Sequence, residues 1–559
     1  MGAPKVVVIG LDGMTPELVE RWMREGKLPN LAAVAQSGAY GRLLSTIPPS
    51  SPQAWSSALT GKNPGKHGIF GFVHRGEDSY TPRLTTSRDR TGPDLGQMVS
   101  HHGKGCGFLF VPLTYPPYPV NGFVVSGMGT PGPKSEFTYP EELKGDLLGK
   151  FDATQLFEPS IVDKEPAEYF GELEDSVENN YAVFEWLQAE YGDLDCYMVV
   201  FMAPDRIQHF AWHFMESGSS RASDALSAEL GQSILTVYRR IDAVVGRIAS
   251  NLHSDTTLIL MSDHGGGPYR KFVDLNAWLA RQGFLAFSEE PRRASDRLFA
   301  GAYRLWGRGP RKLFSAWQRR YLKDWLPGGL KTRINAEWSG PRMTHVDWAN
   351  TRAFSEGTEG VISLNLRGRE PEGVVRLEER DQVLAEIESG LHRLTDPETG
   401  QPVVGRVLRK EQVYHGQALE KAPDLIIQWS EEQYHSRALW GPRGAVVLDP
   451  SKWKSTRMVL SGHHRREGVI LATGPFVSPG TSIKEAEIVD LAPTILAILG
   501  LPLLPDFDGR MLGELTVGLE STTLKEGGLG APCGRDAEVY SEGETSQVED
   551  LLRGLGYIE

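Results

Sequence analysis

A chain of 559 residues exceeds one ordinary hydrophobic core, which predicts one large domain carrying a sizeable insertion, or two domains. Hydrophobic residues at 40% and charged residues at 23% exclude a disordered chain, and a net charge of −13 argues against a general nucleic-acid binder, since phosphate backbones demand a basic face. Three cysteines without CxxC spacing rule out a disulfide framework, and no run approaches the roughly 20 apolar residues of a membrane helix, so the expectation is a cytoplasmic protein.

In chain order, Lys5–Gly10 is a continuous β-branched run of the kind found in buried parallel strands, and it is followed by the helix-like Pro16–Glu25. Similar runs recur at Gly107–Val111, Phe123–Ser126, Cys196–Phe201 and Thr257–Met261. With helical stretches between them they predict an α/β fold, a mainly parallel central sheet with helices on both faces. Asp205 and His209 are four residues apart, so one helical turn puts them on one face. Gly265-Gly266-Gly267 predicts a sharp bend after Asp263-His264. From Pro291 to Arg333 the chain is rich in Arg and Lys against only Asp296 and Asp324, interleaved with Trp306, Phe314, Trp317, Tyr321 and Trp325. That pattern predicts a basic amphipathic helical segment in a cap. Asp347–Thr351, Gly360–Leu366 and Pro423–Trp429 read as further strands and connections of that cap, before Gly468–Thr473 resumes the core pattern and Ile488–Gly500 forms a core helix. The expected organisation is a core at 1–280, an inserted cap at 281–445, the rest of the core at 446–520 and a tail at 521–559. The Gly-rich stretch from Thr522 suggests a loose tail, with Val548–Leu555 able to form a short docking helix.

The chemistry is carried by pieces far apart in sequence: Asp12-Gly13, Asp205-Arg-Ile-Gln-His209, Asp263-His264 and Gly462-His463-His464. Three of the carboxylates follow predicted strand ends, the edge of an open α/β sheet where ligands gather. Carboxylates and neutral imidazoles suit zinc or a similar divalent ion, and two ions about 4 Å apart can clamp both sides of a phosphoryl transfer. Between them lies Pro49-Ser50-Ser51-Pro52, a hydroxyl-bearing turn ahead of a helix start. A serine hydroxyl is a poor nucleophile at neutral pH, but a divalent cation favours its alkoxide. Taken singly, these pieces also read as a turn, an exposed helical pair and a helix cap. Their joint occurrence favours the metal reading.

These motifs, with Thr60-Gly61-Lys62-Asn63-Pro64-Gly65-Lys66-His67-Gly68, Asp490–Pro502 and Asp508-Gly509-Arg510, resemble the alkaline phosphatase superfamily and, within it, the type I phosphodiesterase/nucleotide pyrophosphatase-like proteins. The resemblance implies one ion held by Asp205, His209 and His464, and a second held by Asp12, Asp263 and His264 with Ser51 against it as nucleophile. In the family the nucleophile lies nine positions before the Thr of the Thr-Gly pair, which from Thr60 gives Ser51, with Ser50 the alternative. Family spacing favours His464, with His463 the alternative. The ions expected are two Zn²⁺, with Mn²⁺ the alternative.

The expected activity is phosphodiester hydrolysis through a phosphoserine intermediate; phosphomonoester hydrolysis is the alternative, and a surface-binding protein on an inactive core is the rival of another class. Substrate class is less defined, because His67-Gly-Ile-Phe70-Gly-Phe72 puts aromatics where nucleotide pyrophosphatases carry an oxygen-binding Asn. Lys62, Asn63 or Lys66 could replace that donor, and Asn365, Arg367 and Arg369 of the cap could bind an anionic substrate. The partners expected are a small phosphate ester or a lipid head group, no nucleic-acid polymer, and peripheral contact with an anionic membrane through 291–333.

Overall fold

A computed structural model describes residues 5–76, 79–161, 164–192, 194–215, 224–288, 345–431, 433–437, 445–449, 460–524 and 539–558. The basic segment expected at 291–333, and with it the membrane contact, lies outside the described residues. Nine strands form the main sheet: β1 (Lys5–Leu11), β2 (Ala39–Leu44), β3 (Cys106–Val111), β4 (Gly122–Ser126), β5 (Thr138–Tyr139), β6 (Cys196–Phe201), β7 (Thr256–Met261), β8 (Glu467–Thr473) and β9 (Thr481–Glu487). Their order is β9-β2-β8-β7-β1-β6-β3-β4-β5. β1 pairs in parallel with both β6 and β7, and β3 pairs in parallel with β6 and β4. Only β5 and β8 are reversed.

Every residue of β3, β6 and β7 is buried, which explains why these strands read as unbroken apolar runs instead of alternating ones. The Ser233–Asn251 helix packs on Pro166–Tyr191 and Ala203–Met215, and Leu491–Ile498 packs on Ser51–Thr60. Register aligns Leu11 with Phe201 and Gly10 with Met261. The three central strands therefore end together, and Asp12, Asp205 and Asp263 all emerge at that edge.

A second hydrophobic cluster draws on residues from Val273 to Val446, including Trp278, Phe354, Ile362, Leu384 and Leu425. It is built on an antiparallel sheet in the order Ala353–Phe354, Val361–Leu364, Leu425–Trp429, Val404–Arg409, and on Lys271–Asp274 between Tyr434–Arg437 and Val447–Leu448. The chain then re-enters the main sheet through β8.

The glycine run corrects one expectation. Gly265–Pro268 does not bend but is a strand, paired antiparallel with Gly462–Arg465. Its glycines serve close approach: a Cβ on Gly265 would stand 2.1 Å from the Glu467 carbonyl oxygen, and one on Gly266 2.8 Å from Gln208 Oε1. The docking helix expected at Val548–Leu555 is present, while most of the Gly-rich stretch before it, 525–538, lies outside the described residues. Helix Glu542–Gly554, started by a reciprocal Ser541–Glu544 cap, packs Val548 and Leu552 into the main core, and Leu555, Tyr557 and Ile558 follow them. Among the described residues no helix is long and apolar enough to cross a membrane.

Candidate metal centre and nucleophile

The site assembles from four directions. Asp12 follows β1, and its backbone turns at Gly13, whose φ of +70° suits glycine and whose Cβ would stand 2.7 Å from the Asp205 Cβ. Asp205 and His209 sit one turn apart on the Ala203–Met215 helix, and Asp263-His264 follow β7. The short antiparallel ladder places His464 opposite Gly266, two residues on from His264. All six side chains, and Ser51, are buried.

Two groups of ligand atoms result. His209 Nε2 lies 3.2 Å and His464 Nε2 3.4 Å from Asp205 Oδ1, and the two nitrogens are 3.1 Å apart. His264 Nε2 lies 3.3 Å from Asp263 Oδ2 and 3.9 Å from Asp12 Oδ1. His264 also bridges the groups: its ring stacks on His464 at 3.8 Å, and Asp205, His264 and His464 present atoms all within 4.8 Å of one another.

The imidazoles are held in one tautomer. His209 Nδ1 faces the Gly462 carbonyl at 3.1 Å, His264 Nδ1 the Gly265 carbonyl at 2.9 Å, and His464 Nδ1 the Pro49 carbonyl at 3.0 Å. A carbonyl oxygen only accepts, so each Nδ1 carries the hydrogen and each Nε2 turns a bare lone pair into the cluster. Lone pairs of His209 and His464 facing each other at 3.1 Å, beside carboxylates, call for a cation. Asp12 Oδ1 and Asp263 Oδ2 are buried with no hydrogen-bond partner. Burial, then the charges of Asp263 and Asp205, push Asp12 well above the usual carboxylate range; burial and Asp205 push Asp263 to about 8. The donor set fits divalent metal.

Ser51 is the first residue of the Ser51–Thr60 helix, and its Oγ lies 3.1 Å from His264 Nε2. Ser50 precedes the helix, and its buried Oγ has no hydrogen-bond partner. His463 turns away from the cluster to His435, with ring centroids 3.3 Å apart. Trp55, one turn beyond Ser51, donates its indole N–H to Asp12 Oδ2 at 2.8 Å, and the Gly13 N–H donates to Asp263 Oδ1 at 3.2 Å. Trp55 was visible in the sequence only as part of the helix; the i, i+4 spacing from Ser51 was the available signal.

The six expected substrate-binding residues do not join this cluster, Lys66 being held by Asp508 and the Asp506 carbonyl. Lys62 Nζ donates to Asp506 at 2.6 Å, and Asn63 starts the Pro64–His67 turn while donating to Asp508 and to the His415 carbonyl. Asn365 is fully buried, with Nδ2 on the carbonyls of Trp348, Thr351 and Glu372 and Oδ1 on the Tyr80 hydroxyl. Arg367 is exposed, on a bridge to Glu370 just before the Gly368-Arg369 turn, and Arg369 is bound to Asp424 and Glu370. Phe72 is buried and stacks on Tyr557, centroids 4.5 Å apart.

The family model described as type I phosphodiesterase/nucleotide pyrophosphatase matches residues 6–458. The chain belongs to the type I phosphodiesterase/nucleotide pyrophosphatase family. As a family member it is a phosphoester hydrolase, and the candidate residues from Asp12 to His264 fall within the match, with His464 just beyond it. Among curated proteins no match was found. Among solved structures, human ectonucleotide pyrophosphatase/phosphodiesterase 5 is similar at 14% identity, covering 92% of this chain and 100% of its own, with a TM-score of 0.47. Phosphonoacetate hydrolase from Sinorhizobium meliloti 1021, solved with phosphonoacetate, is similar at 13% identity over 89% of this chain and 95% of its own, with a TM-score of 0.48.

Proposed function

We propose that this phosphodiesterase-family chain is a two-metal phosphodiester hydrolase that works through a phosphoserine on Ser51. The observation that carries the reading is the convergence of three bare Nε2 lone pairs with three buried carboxylates against the Ser51 hydroxyl. One divalent ion would be held by Asp205, His209 and His464, the other by Asp12, Asp263, His264 and Ser51, with Zn²⁺ favoured by the nitrogen and oxygen donors and Mn²⁺ second. When bound, such ions lower the pKa of the serine hydroxyl and neutralise charge on the phosphoryl oxygens.

The remaining steps belong to the chain's own residues. Trp55 and the Gly13 N–H fix one oxygen each of Asp12 and Asp263, so their unpartnered oxygens are left to a cation. Ser51 Oγ attacks phosphorus in line, the bond from phosphorus to the leaving ester oxygen breaks, and water then cleaves the phosphoserine. The ten-residue Ser51–Thr60 helix starts at the nucleophile, so its positive end would favour a phosphoryl anion bound there. The substrate class is a small phosphate diester.

The test uses metal-loaded protein on bis(p-nitrophenyl) phosphate and p-nitrophenyl phosphate. The expected outcome is faster turnover of the diester, and loss of at least about 10³-fold in kcat for Ser51→Ala at unchanged metal content. Monoester preference would redirect the reading to a phosphatase. Full activity of Ser51→Ala would remove Ser51 as nucleophile.

A further inference from the structure

Asp205 has two carboxylate oxygens with different company. Oδ1 faces His209 and His464, whereas Oδ2 accepts from the hydroxyl of Tyr557, 352 residues away in sequence. Arg206 Nη1 donates to the same hydroxyl and stands 3.3 Å from Asp205 Oδ2, while its Nε donates to Glu158 at 2.8 Å. The guanidinium occupies the acceptor side of the phenol, so the phenol's own hydrogen goes to Asp205. Tyr557 is 4% exposed, and its ring stacks on Phe72 and meets the His209 ring edge-on at 5.3 Å. The ring is delivered by the Glu542–Gly554 helix: the Tyr557 N–H closes on the Leu552 carbonyl, and the Tyr557 carbonyl accepts from Thr358 of the cap.

We infer that Tyr557 is a positioning residue for the metal centre: its hydroxyl occupies Asp205 Oδ2, leaving Oδ1 as the single oxygen offered beside His209 and His464. A carboxylate free to rotate can present either oxygen or both, and fixing it removes that freedom before the ion arrives. Hydrogen bonds of this kind to ligating side chains alter metal affinity by about 10- to 100-fold. The inference rests on the ligand set proposed above. It also gives Phe72 a role, as the flat surface against which the tyrosine ring is held.

The experiment titrates Zn²⁺ alone into metal-free wild type, Tyr557→Phe and Asp205→Asn, read by calorimetry, alongside kcat and KM on bis(p-nitrophenyl) phosphate. Tyr557→Phe keeps the ring and its stack. The expected result is one of two Zn²⁺ ions bound about tenfold more weakly, a lower kcat at limiting Zn²⁺ with little change in KM, and recovery of kcat when Zn²⁺ is raised about tenfold. Asp205→Asn should lose that same ion. If Tyr557→Phe binds both ions as wild type does while Asp205→Asn loses one, the inference is overturned and the ligand set stands. If Asp205→Asn retains both ions at wild-type affinity, the ligand set itself is wrong and the inference falls with it.

Discussion

His67 is a buried imidazole outside the metal cluster whose neighbours are chiefly cationic. Its Nδ1 accepts the Ile69 N–H at 3.2 Å, so its Nε2 hydrogen goes to Ser57 Oγ at 2.9 Å, tying the helix that starts at Ser51 to the turn behind it. Burial, then Arg90 and more weakly Lys62, push its pKa down to about 3, with Asp508 opposing. In the unfolded chain a histidine protonates near 6.5. Between about 6.5 and 3 the unfolded state thus binds more protons than the folded state, so the contribution is complete above 6.5 and is lost as pH falls through this window. Denaturation midpoints measured from pH 7 to 4 should fall. His67→Gln should start lower at pH 7 and fall less steeply, and a parallel slope would show that other groups set the acid limb. The candidate metal ligands were legible at this scale because each is embedded in a short local pattern: a strand end before Asp12, an i, i+4 pair at Asp205 and His209, an Asp-His pair at 263. Tyr557 had no such pattern, because its partner Asp205 is brought to it only by tertiary packing. Lys62 and Asn63 were legible as polar loop residues, but not their capture by Asp506 and Asp508.

Among the elements, continuous apolar runs identified the central strands to within about a residue, since burial on both faces leaves no alternation to misread. The Gly265–Pro268 strand was not legible. Glycine is a poor strand former, and here only the approach of Glu467 and Gln208 requires it. The cap sheet shows the same dependence on tertiary partners. Asp424, just ahead of the Leu425–Trp429 strand, is fully buried, accepting from the Leu364 N–H at 2.8 Å and from both terminal nitrogens of Arg369, with Lys410 Nζ at 3.5 Å. Burial raises its pKa, but Arg369, Lys410 and the Leu364 N–H outweigh burial and hold the carboxyl below its usual range. Asp424→Asn keeps the shape and removes the charge, leaving Lys410 buried with only Glu420 at 3.9 Å. Breaking a buried pair from one side costs about 3–5 kcal/mol. Hydrogen exchange should therefore speed up in strands Val361–Leu364, Val404–Arg409 and Leu425–Trp429 and remain slow in β1, β6 and β7. Equal acceleration in both sheets would mean that the cap does not unfold separately.

At the scale of the whole molecule, the candidate metal centre is where distant parts of the chain are pinned together. Asp12, Asp205 and Asp263 follow the ends of three strands of one sheet, Ser51 comes from a buried helix, and His464 from a ladder reached only after the cap has been traversed. The carboxylates stand close together with Asp12 Oδ1 and Asp263 Oδ2 unpartnered, an arrangement that opposes folding when no cation is bound. Stability and catalytic competence are thereby linked, because an ion that binds only the assembled site holds all of these segments in place. At an ion concentration 100 times Kd, that linkage is worth about 2.7 kcal/mol for each site. A chelator should lower the melting temperature of the protein as purified, and adding Zn²⁺ should restore it. Asp12→Asn removes one of the crowded charges as well as a proposed ligand, so it should melt no lower than wild type in chelator and gain distinctly less from Zn²⁺. A full wild-type gain in that variant would show that the stabilising ion binds without Asp12.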